Sequence, residues 1–177
     1  MKKKLLLHIC CAPCSTIPIK RLSDEYEITG YFYNPNIYPE EEYLRRLEEA
    51  KRYFKKNKIE LIIEKYNPDD FYNKTKGFEN EPEKGSRCYL CFELRLEKLK
   101  KYTEDNNFKF ICTSLTISPH KNHLQVNKAG KNVTLGTDII FLEENFKKKD
   151  GYKESLIISK KECFYRQNYC GCKWSII

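Results

Sequence analysis

The sequence lacks a long apolar run. Its first apolar stretch, residues 4–9, follows a basic start, and the leucines at residues 5–7 end at His8. A membrane span needs roughly 20 apolar residues, and even the apolar part of a signal peptide needs about 7 to 15. We therefore expect a cytoplasmic protein with no membrane partner, in which thiols stay reduced.

The sequence also lacks a glycine-rich loop of the kind that binds phosphate groups after a strand. At the position where the first predicted strand ends, the chain instead has the segment CCAPCS, residues 10–15. ATP use is therefore not supported.

Cysteine, in contrast, is abundant. Nine cysteines are present. Six of them form three tight pairs: Cys10 with Cys11, Cys88 with Cys91, and Cys170 with Cys172. In a reducing compartment such pairs favour metal or thiol redox chemistry over a disulfide framework. Six or seven thiols exceed the four that one tetrahedral zinc or one cubane requires, so the sequence predicts a larger metal or iron–sulfur site in a candidate redox enzyme.

Each pair alone leaves its chemistry open. The spacing of Cys88 and Cys91 at a predicted helix start fits zinc, iron–sulfur and dithiol redox roles. For the adjacent Cys10 and Cys11 we expect diverging side chains, which suit two metal centres better than one ion. Cys14 is either a further ligand or a thiol near the start of the first helix.

The order of predicted elements indicates an α/β fold with a parallel sheet, flanking helices and right-handed crossovers. Strands are predicted at residues 4–9, 27–33, 59–63 and 108–112, and helices at 15–24, 40–57 and 89–107. In such sheets ligands bind beyond the carboxyl ends of the strands. Cys10 and Cys11 follow the first strand and residues 113–121 follow the fourth, so we expect both segments at one crevice.

The remaining segments give weaker patterns. Residues 67–84 predict a polar, mobile connection with about one helical turn. Beyond residue 122 we expect a short helix at 122–129, an extended segment at 138–141 and a helix at 153–161. A C-terminal cysteine segment, residues 163–177, completes a single domain of residues 1–177.

Charge gives a weak indication of a partner. Lysine and arginine number 33 against 25 acidic residues, a net charge of +8. An excess of positive charge attracts polyanions such as nucleic acids. Arg166 stands next to Tyr165, a combination that suits stacking on a base and pairing with phosphate. His8, Cys112 and Cys163 we interpret as structural residues.

Five segments carry a resemblance to a known family. They are HICCAPC (residues 8–14), YNPNI (33–37), RCYLCFELR (87–95), TSLTISPHK (113–121) and YRQNYCGC (165–172). They run nearly from end to end of the chain, and together they resemble the QueH-type epoxyqueuosine reductases. The resemblance implies a Rossmann-like fold of the HUP class, related to the adenine nucleotide α-hydrolases.

The resemblance also implies an activity. The family reduces the epoxide of epoxyqueuosine, at the wobble position of tRNA, to queuosine, the last step of queuosine biosynthesis. It implies a [4Fe-4S] cluster, an additional mononuclear iron and an external electron donor, without cobalamin. An iron with an open position would act as a Lewis acid on the epoxide oxygen.

Residue roles carried over from the resemblance fall into three sets. The metal ligands are Cys10, Cys11, Cys14, Cys88, Cys91, Cys170 and Cys172, not divided between cluster and iron. The substrate-binding residues are Asn34, Asn36, Arg45, Ser118, Lys121 and Arg166. The proton donor is His120 or Tyr169. Some relatives have Asp at the position of Cys14, so a thiolate here replaces a carboxylate beside the extra iron.

Two other functions remain open. A zinc-stabilised RNA-binding module would hold zinc in the same thiols and have no redox activity. A tRNA sulfur-transferase of the related hydrolase class would need ATP, and the missing phosphate loop counts against it.

Overall fold

A parallel sheet of five strands forms the centre of the molecule. The computed structural model describes residues 1–176. The strands are β1 (Lys3–Ile9), β2 (Tyr26–Phe32), β3 (Leu61–Ile63), β4 (Phe110–Thr113) and β5 (Ile140–Phe141). Their order is β3-β2-β1-β4-β5, and each neighbouring pair is parallel. This confirms the predicted α/β class. The chain leaves β1 towards β2 on one side and β4 lies on the other, so the switch point is at β1.

Helices connect the strands and cover both faces of the sheet. They are α1 (Ala12–Leu22), α2 (Glu40–Lys56), α3 (Pro68–Lys74), α4 (Ser86–Asp105), α5 (His123–Thr134) and α6 (Gly151–Lys161), with short 3₁₀ helices at Ser114–Ile117 and Lys173–Ser175. Among residues 1–176, no helix is both long and apolar enough to cross a bilayer.

The core lies in two layers on either side of β1. Leu5 and Leu7 pack with Ile17 of α1 and Leu47 of α2, whereas Leu6 packs on the opposite face with residues of α4 and α5. All three leucines of β1 are fully buried, as expected for a central parallel strand covered on both faces. This packing fixes the carboxyl end of β1, where the cysteines follow.

The start of α1 differs from the prediction. The helix begins at Ala12, not at residue 15, and Cys11 is its N-cap residue. Pro13 lies in the first turn, where its fixed φ favours helix initiation. The hydroxyls of Ser15 and Thr16 donate to carbonyls of that first turn, so neither residue caps the helix. The first turn therefore starts directly at the cysteines.

Other helices also extend beyond their predicted ranges. The polar stretch after residue 67 contains α3, whose seven residues make about two turns and begin with a proline in the first turn. Helix α5 continues to Thr134 rather than residue 129, and α4 begins at Ser86 rather than residue 89. The earlier start of α4 puts Cys88 and Cys91 inside its first two turns.

Candidate metal centre

Cys10, Cys11 and Cys14 form a tight group, here called the three-thiol group. Their sulfurs lie within 4.8 Å of one another, and within residues 1–176 this is the only such group of potential ligands. The Sγ atoms of Cys10 and Cys11 are 3.8 Å apart. Two sulfurs bound at about 2.3 Å to one tetrahedral ion lie about 3.8 Å apart. The expectation that the side chains of these adjacent cysteines diverge is therefore wrong, because their sulfurs converge to the separation found around one ion.

The backbone at the end of β1 explains this convergence. The alternation of side chains ends with the strand at Ile9, and Cys11 takes an extended conformation at the N-cap of α1, with φ −172° and ψ 164°. The chain then turns into the helix, which brings Cys14 back over the two preceding thiols. Between the two interpretations of Cys14, the geometry places it with the other thiols.

The three thiols differ in pKa. Hydrogen bonds from Cys11 and Cys14 lower the pKa of Cys10 well below its ordinary value, and the charge of Lys121 acts in the same direction. The hydrogen bond to Cys10 raises the pKa of Cys11 to about 12, and the pKa of Cys14 is also raised. Cys10 is therefore the thiol of this group that gives up its proton most readily, and metal binding would displace protons from the other two.

A second group, here called the four-thiol group, unites α4 with the C-terminal segment. Its members are Cys88, Cys91, Cys170 and Cys172. Cys91 and Cys172 are buried together against Phe71. Burial raises the pKa of Cys91 to about 12, and the nearby charges of Cys170 and Cys172 add to this rise. Four thiols match the number of ligands that one cubane requires.

The C-terminal segment is fixed by contacts with the loop before α2 and with α2 itself. The Gly171 carbonyl accepts a 2.8 Å hydrogen bond from the Tyr38 amide, and the Cys170 carbonyl accepts one of 3.2 Å from Arg46 Nη1. Gly171 has a φ of +120°, which side-chain residues rarely adopt. These contacts, with residues more than a hundred positions earlier in the sequence, therefore place the two thiols of this segment next to α4.

Both thiol groups open on one cleft. Cys14, Cys170 and Lys121 all line one cavity of about 280 Å³. Burial alone would lower the pKa of Lys121, but the charges of Cys170, Cys10 and Cys14 raise it above its ordinary value. Lys121 therefore supplies a positive charge that acts on both groups.

The other residues predicted to act on substrate lie at different distances from this cleft. His120, Ser118, Lys121, Arg166 and Tyr169 line it. Asn34 and Asn36 are buried, and the Asn34 amide donates a 2.9 Å hydrogen bond to the Ile9 carbonyl at the end of β1. Arg45 is exposed, with its guanidinium 4.6 Å from the Tyr165 ring centroid.

The residues interpreted as structural have varied environments. His8 is fully buried, with Nδ1 2.9 Å from Thr113 Oγ1. Burial and the charge of Arg95 lower its pKa to about 3, so His8 is neutral, as expected of a core histidine. Cys112 is buried in β4, whereas Cys163 is exposed just beyond α6.

Sequence analysis did not assign two buried arginines to the site, although they lie beside the thiols. Arg46 donates a 2.7 Å bond to Glu42 Oε1, its Nη2 has no partner in residues 1–176, and its charge acts on Cys11. Arg95 Nη2 donates a 3.3 Å bond to Cys91 Sγ. A signal was present, because each arginine stands on the buried face of its helix, Arg46 three residues after Tyr43 and Arg95 four after Cys91. Gln167, which donates to Cys11 Sγ at 3.4 Å, had no such signal.

The fold is shared with a solved tRNA-modifying enzyme. The U34-tRNA thiolase NcsA from Methanococcus maripaludis, solved with its [4Fe-4S] cluster, matches with a TM-score of 0.62 and 13% identity. The match covers 99% of this chain and 62% of the thiolase chain. At this identity the likeness describes the fold alone.

Sequence comparison identifies closer relatives. The family model "Epoxyqueuosine reductase QueH" matches residues 5–177. The epoxyqueuosine reductase QueH of Acinetobacter baylyi is 45% identical over 177 residues, which cover 98% of this chain and 80% of the relative. That of Haemophilus influenzae is 42% identical over 175 residues, covering 98% and 71%. With residues 5–177 matched by the family model, this chain belongs to the epoxyqueuosine reductase QueH family.

Proposed function

We propose that this chain reduces the epoxide of epoxyqueuosine, at the wobble position of tRNA, to the cyclopentene of queuosine. The reaction consumes two electrons and two protons and releases the epoxide oxygen as water, so an external electron donor is required. The observation that carries the proposal is that two separate cysteine groups open on one cleft, in a chain of this family.

The two groups fit two cofactors. We assign the four-thiol group to a [4Fe-4S] cluster and the three-thiol group to the additional mononuclear iron. The number of thiols supports the first assignment, and the 3.8 Å separation of Cys10 and Cys11 supports the second. Three protein ligands would leave one position of a four-coordinate ion free for a substrate atom. When bound, the cofactors would supply single electrons and a Lewis acid that weakens the carbon–oxygen bond.

Charged side chains balance the thiolates. Arg46, whose Nη2 has no partner among residues 1–176, acts on Cys11 from the side of α2, and the charge of Lys121 interacts with Cys10 and Cys170. Because Cys14 would add a third negative ligand where some relatives have an equally charged but harder carboxylate, we expect the site to favour softer metal ions.

The cleft suits a base turned out of the anticodon loop. RNA-binding proteins generally read unpaired bases, and enzymes that act on a base extrude it into a pocket. Arg166 is an exposed residue of the cleft wall whose guanidinium carbon lies 6.0 Å from the Tyr152 ring centroid, and we assign it contact with a phosphate or a base. The net charge of +8 favours association with tRNA.

We propose His120 as the proton donor. It is exposed and lines the cleft, whereas the hydroxyl of Tyr169 is already donated to the Tyr38 carbonyl. The variant His120→Gln should reduce turnover at least tenfold with unchanged metal content. His123→Gln is the matched control, since His123 lies three residues away and is not part of the cleft wall. Equal turnover of both variants would assign the proton to another group.

The direct test is conversion of the tRNA. Protein prepared without oxygen is mixed with epoxyqueuosine-containing tRNA and a strong reductant, with no cobalamin, and the nucleosides are separated after digestion. We expect queuosine to replace epoxyqueuosine. A colourless zinc protein that binds tRNA without converting it, even after reconstitution with iron, would contradict the proposal and support the zinc-stabilised RNA-binding module.

A further inference from the structure

Arg95 is a buried cation without a carboxylate partner. Its side chain is 2% exposed, and no ion pair in residues 1–176 joins it to an acidic group. Its polar contacts go to one residue: Nε donates to the Cys91 carbonyl at 3.0 Å and Nη2 to Cys91 Sγ at 3.3 Å. An unpaired buried charge is strongly unfavourable, so the Cys91 sulfur is the natural counter-charge.

Among residues 1–176, the groups that interact with Arg95 most directly are not carboxylates. His8 lies close enough for its pKa to fall to about 3, through burial and the charge of Arg95, and it is neutral. Lys121 is a further cation that interacts with Arg95. Phe92 contributes only its ring, whose centroid is 5.7 Å from the guanidinium carbon. As a metal ligand Cys91 would be a thiolate, and that thiolate would balance the charge of Arg95 at hydrogen-bond distance.

The other contact to a sulfur of this group is of a different kind. Cys88 Sγ accepts a 3.3 Å hydrogen bond from the backbone amide of Lys84, which carries no net charge. The four-thiol group is thus unequal, because the sulfur of Cys91 alone receives a hydrogen bond from a buried cation among the bonds of the described residues. A charge-assisted bond is roughly twice as strong as a neutral one.

We propose that Arg95 is a positioning residue that orients the Cys91 sulfur and raises the reduction potential of the centre held by the four-thiol group. This rests on the proposed function, in which that centre is an iron–sulfur cluster. Reduction adds one negative charge to the cluster, and a fixed positive charge at hydrogen-bond distance in a dry interior stabilises the added electron. Hydrogen bonds to the sulfurs are a known means of setting cluster potentials.

The test is a redox titration of oxygen-free protein, followed by the visible spectrum and by electron paramagnetic resonance. Arg95→Gln and Arg95→Met should each lower the equilibrium constant for reduction at least tenfold, which is about 59 mV for a one-electron couple. Arg95→Lys keeps the charge and should restore most of the potential. The matched control Lys101→Gln removes an exposed charge from the same helix and should leave the potential unchanged.

Each outcome decides the proposal. Arg95→Met puts an uncharged, apolar side chain of similar length at this position. It serves as the test variant if Arg95→Gln does not fold. Loss of iron in both variants, with native circular dichroism and with iron retained in Arg95→Lys, would also support the role of the charge. An unchanged potential in Arg95→Met with full iron and sulfide would overturn it. A wild-type chain that binds no sulfide would overturn the proposed function and this inference together.

Discussion

The two cysteine groups differ in how far apart their members lie in the sequence. The three-thiol group comes from five consecutive residues at the turn from β1 into α1, and the local backbone sets its geometry. The four-thiol group joins the start of α4 to the C-terminal segment, and it exists only because that segment packs against α2 and Phe71. Local geometry thus positions one candidate centre and tertiary packing the other, so the two should respond differently to mutation.

The largest effect should come from Cys91→Ser. Since Cys91 is a buried member of the four-thiol group, we expect loss of about four irons and four sulfides, and no measurable conversion of tRNA. The three-thiol group should keep about one iron. Cys163→Ser, which changes an exposed cysteine, should leave metal content unchanged. Iron and sulfide analysis checks this, and simultaneous loss of all iron would show that the groups are not separate.

Cys14→Ala should have the converse effect on metal content. With two thiols left in the three-thiol group, about one iron should be lost while the cluster and its sulfide remain. The visible absorption should persist and the conversion of tRNA should fall at least a hundredfold. If sulfide falls in parallel with iron, the assignment of the two groups to two centres is wrong.

Arg46→Met should loosen the four-thiol group from a distance. The substitution removes the hydrogen bond to the Cys170 carbonyl and leaves Glu42 buried without its ion partner. This should lower the free energy of unfolding by about 3 kcal/mol. For a chain of this length that is a fall of roughly 6 to 12 °C in the thermal unfolding midpoint. Arg45→Met changes the exposed neighbour and should shift the midpoint by no more than about 2 to 4 °C. Equal shifts would show that burial of Arg46 does not matter.

The smallest effect should come from Gly171→Ala. A Cβ at this residue would lie 3.0 Å from Arg46 Nη1 and 3.3 Å from Ile37 Cγ1, at a φ of +120°. The combined strain should lower the free energy of unfolding by about 1 to 3 kcal/mol and weaken retention of the cluster. Gly136→Ala also has a positive φ but meets no atom within 4 Å, so it should cost less. Thermal unfolding of both variants measures the difference, and a larger loss at Gly136 would contradict this explanation.

The sequence predicted the fold more completely than the site. Period-two and period-3.6 patterns are local, so the first four strands and the helix over residues 40–57 were found close to their observed bounds. The position of Cys10 and Cys11 beyond β1 was predicted as well, since in a parallel sheet the strand order dictates which ends meet. The start of α1 was wrong because Pro13, in its first turn, initiates the helix before residue 15, where it was predicted to begin.

The division of the thiols was not predictable from spacing. It depends on a turn conformation at Cys11 and on the docking of residues after 163, and neither appears as a periodic pattern. Arg46 and Arg95 were overlooked because charged residues on a helix are usually solvated. Both stand on the apolar face of their helices, and a charge in that position is a signal that sequence reasoning can use.

The most direct test of two separate centres is the iron, sulfide and zinc content of the wild-type chain prepared without oxygen. The two groups predict about five irons and four sulfides for each chain, with broad thiolate-to-iron absorption. Stoichiometric zinc without sulfide, in a protein that iron and sulfide cannot convert, would contradict the account.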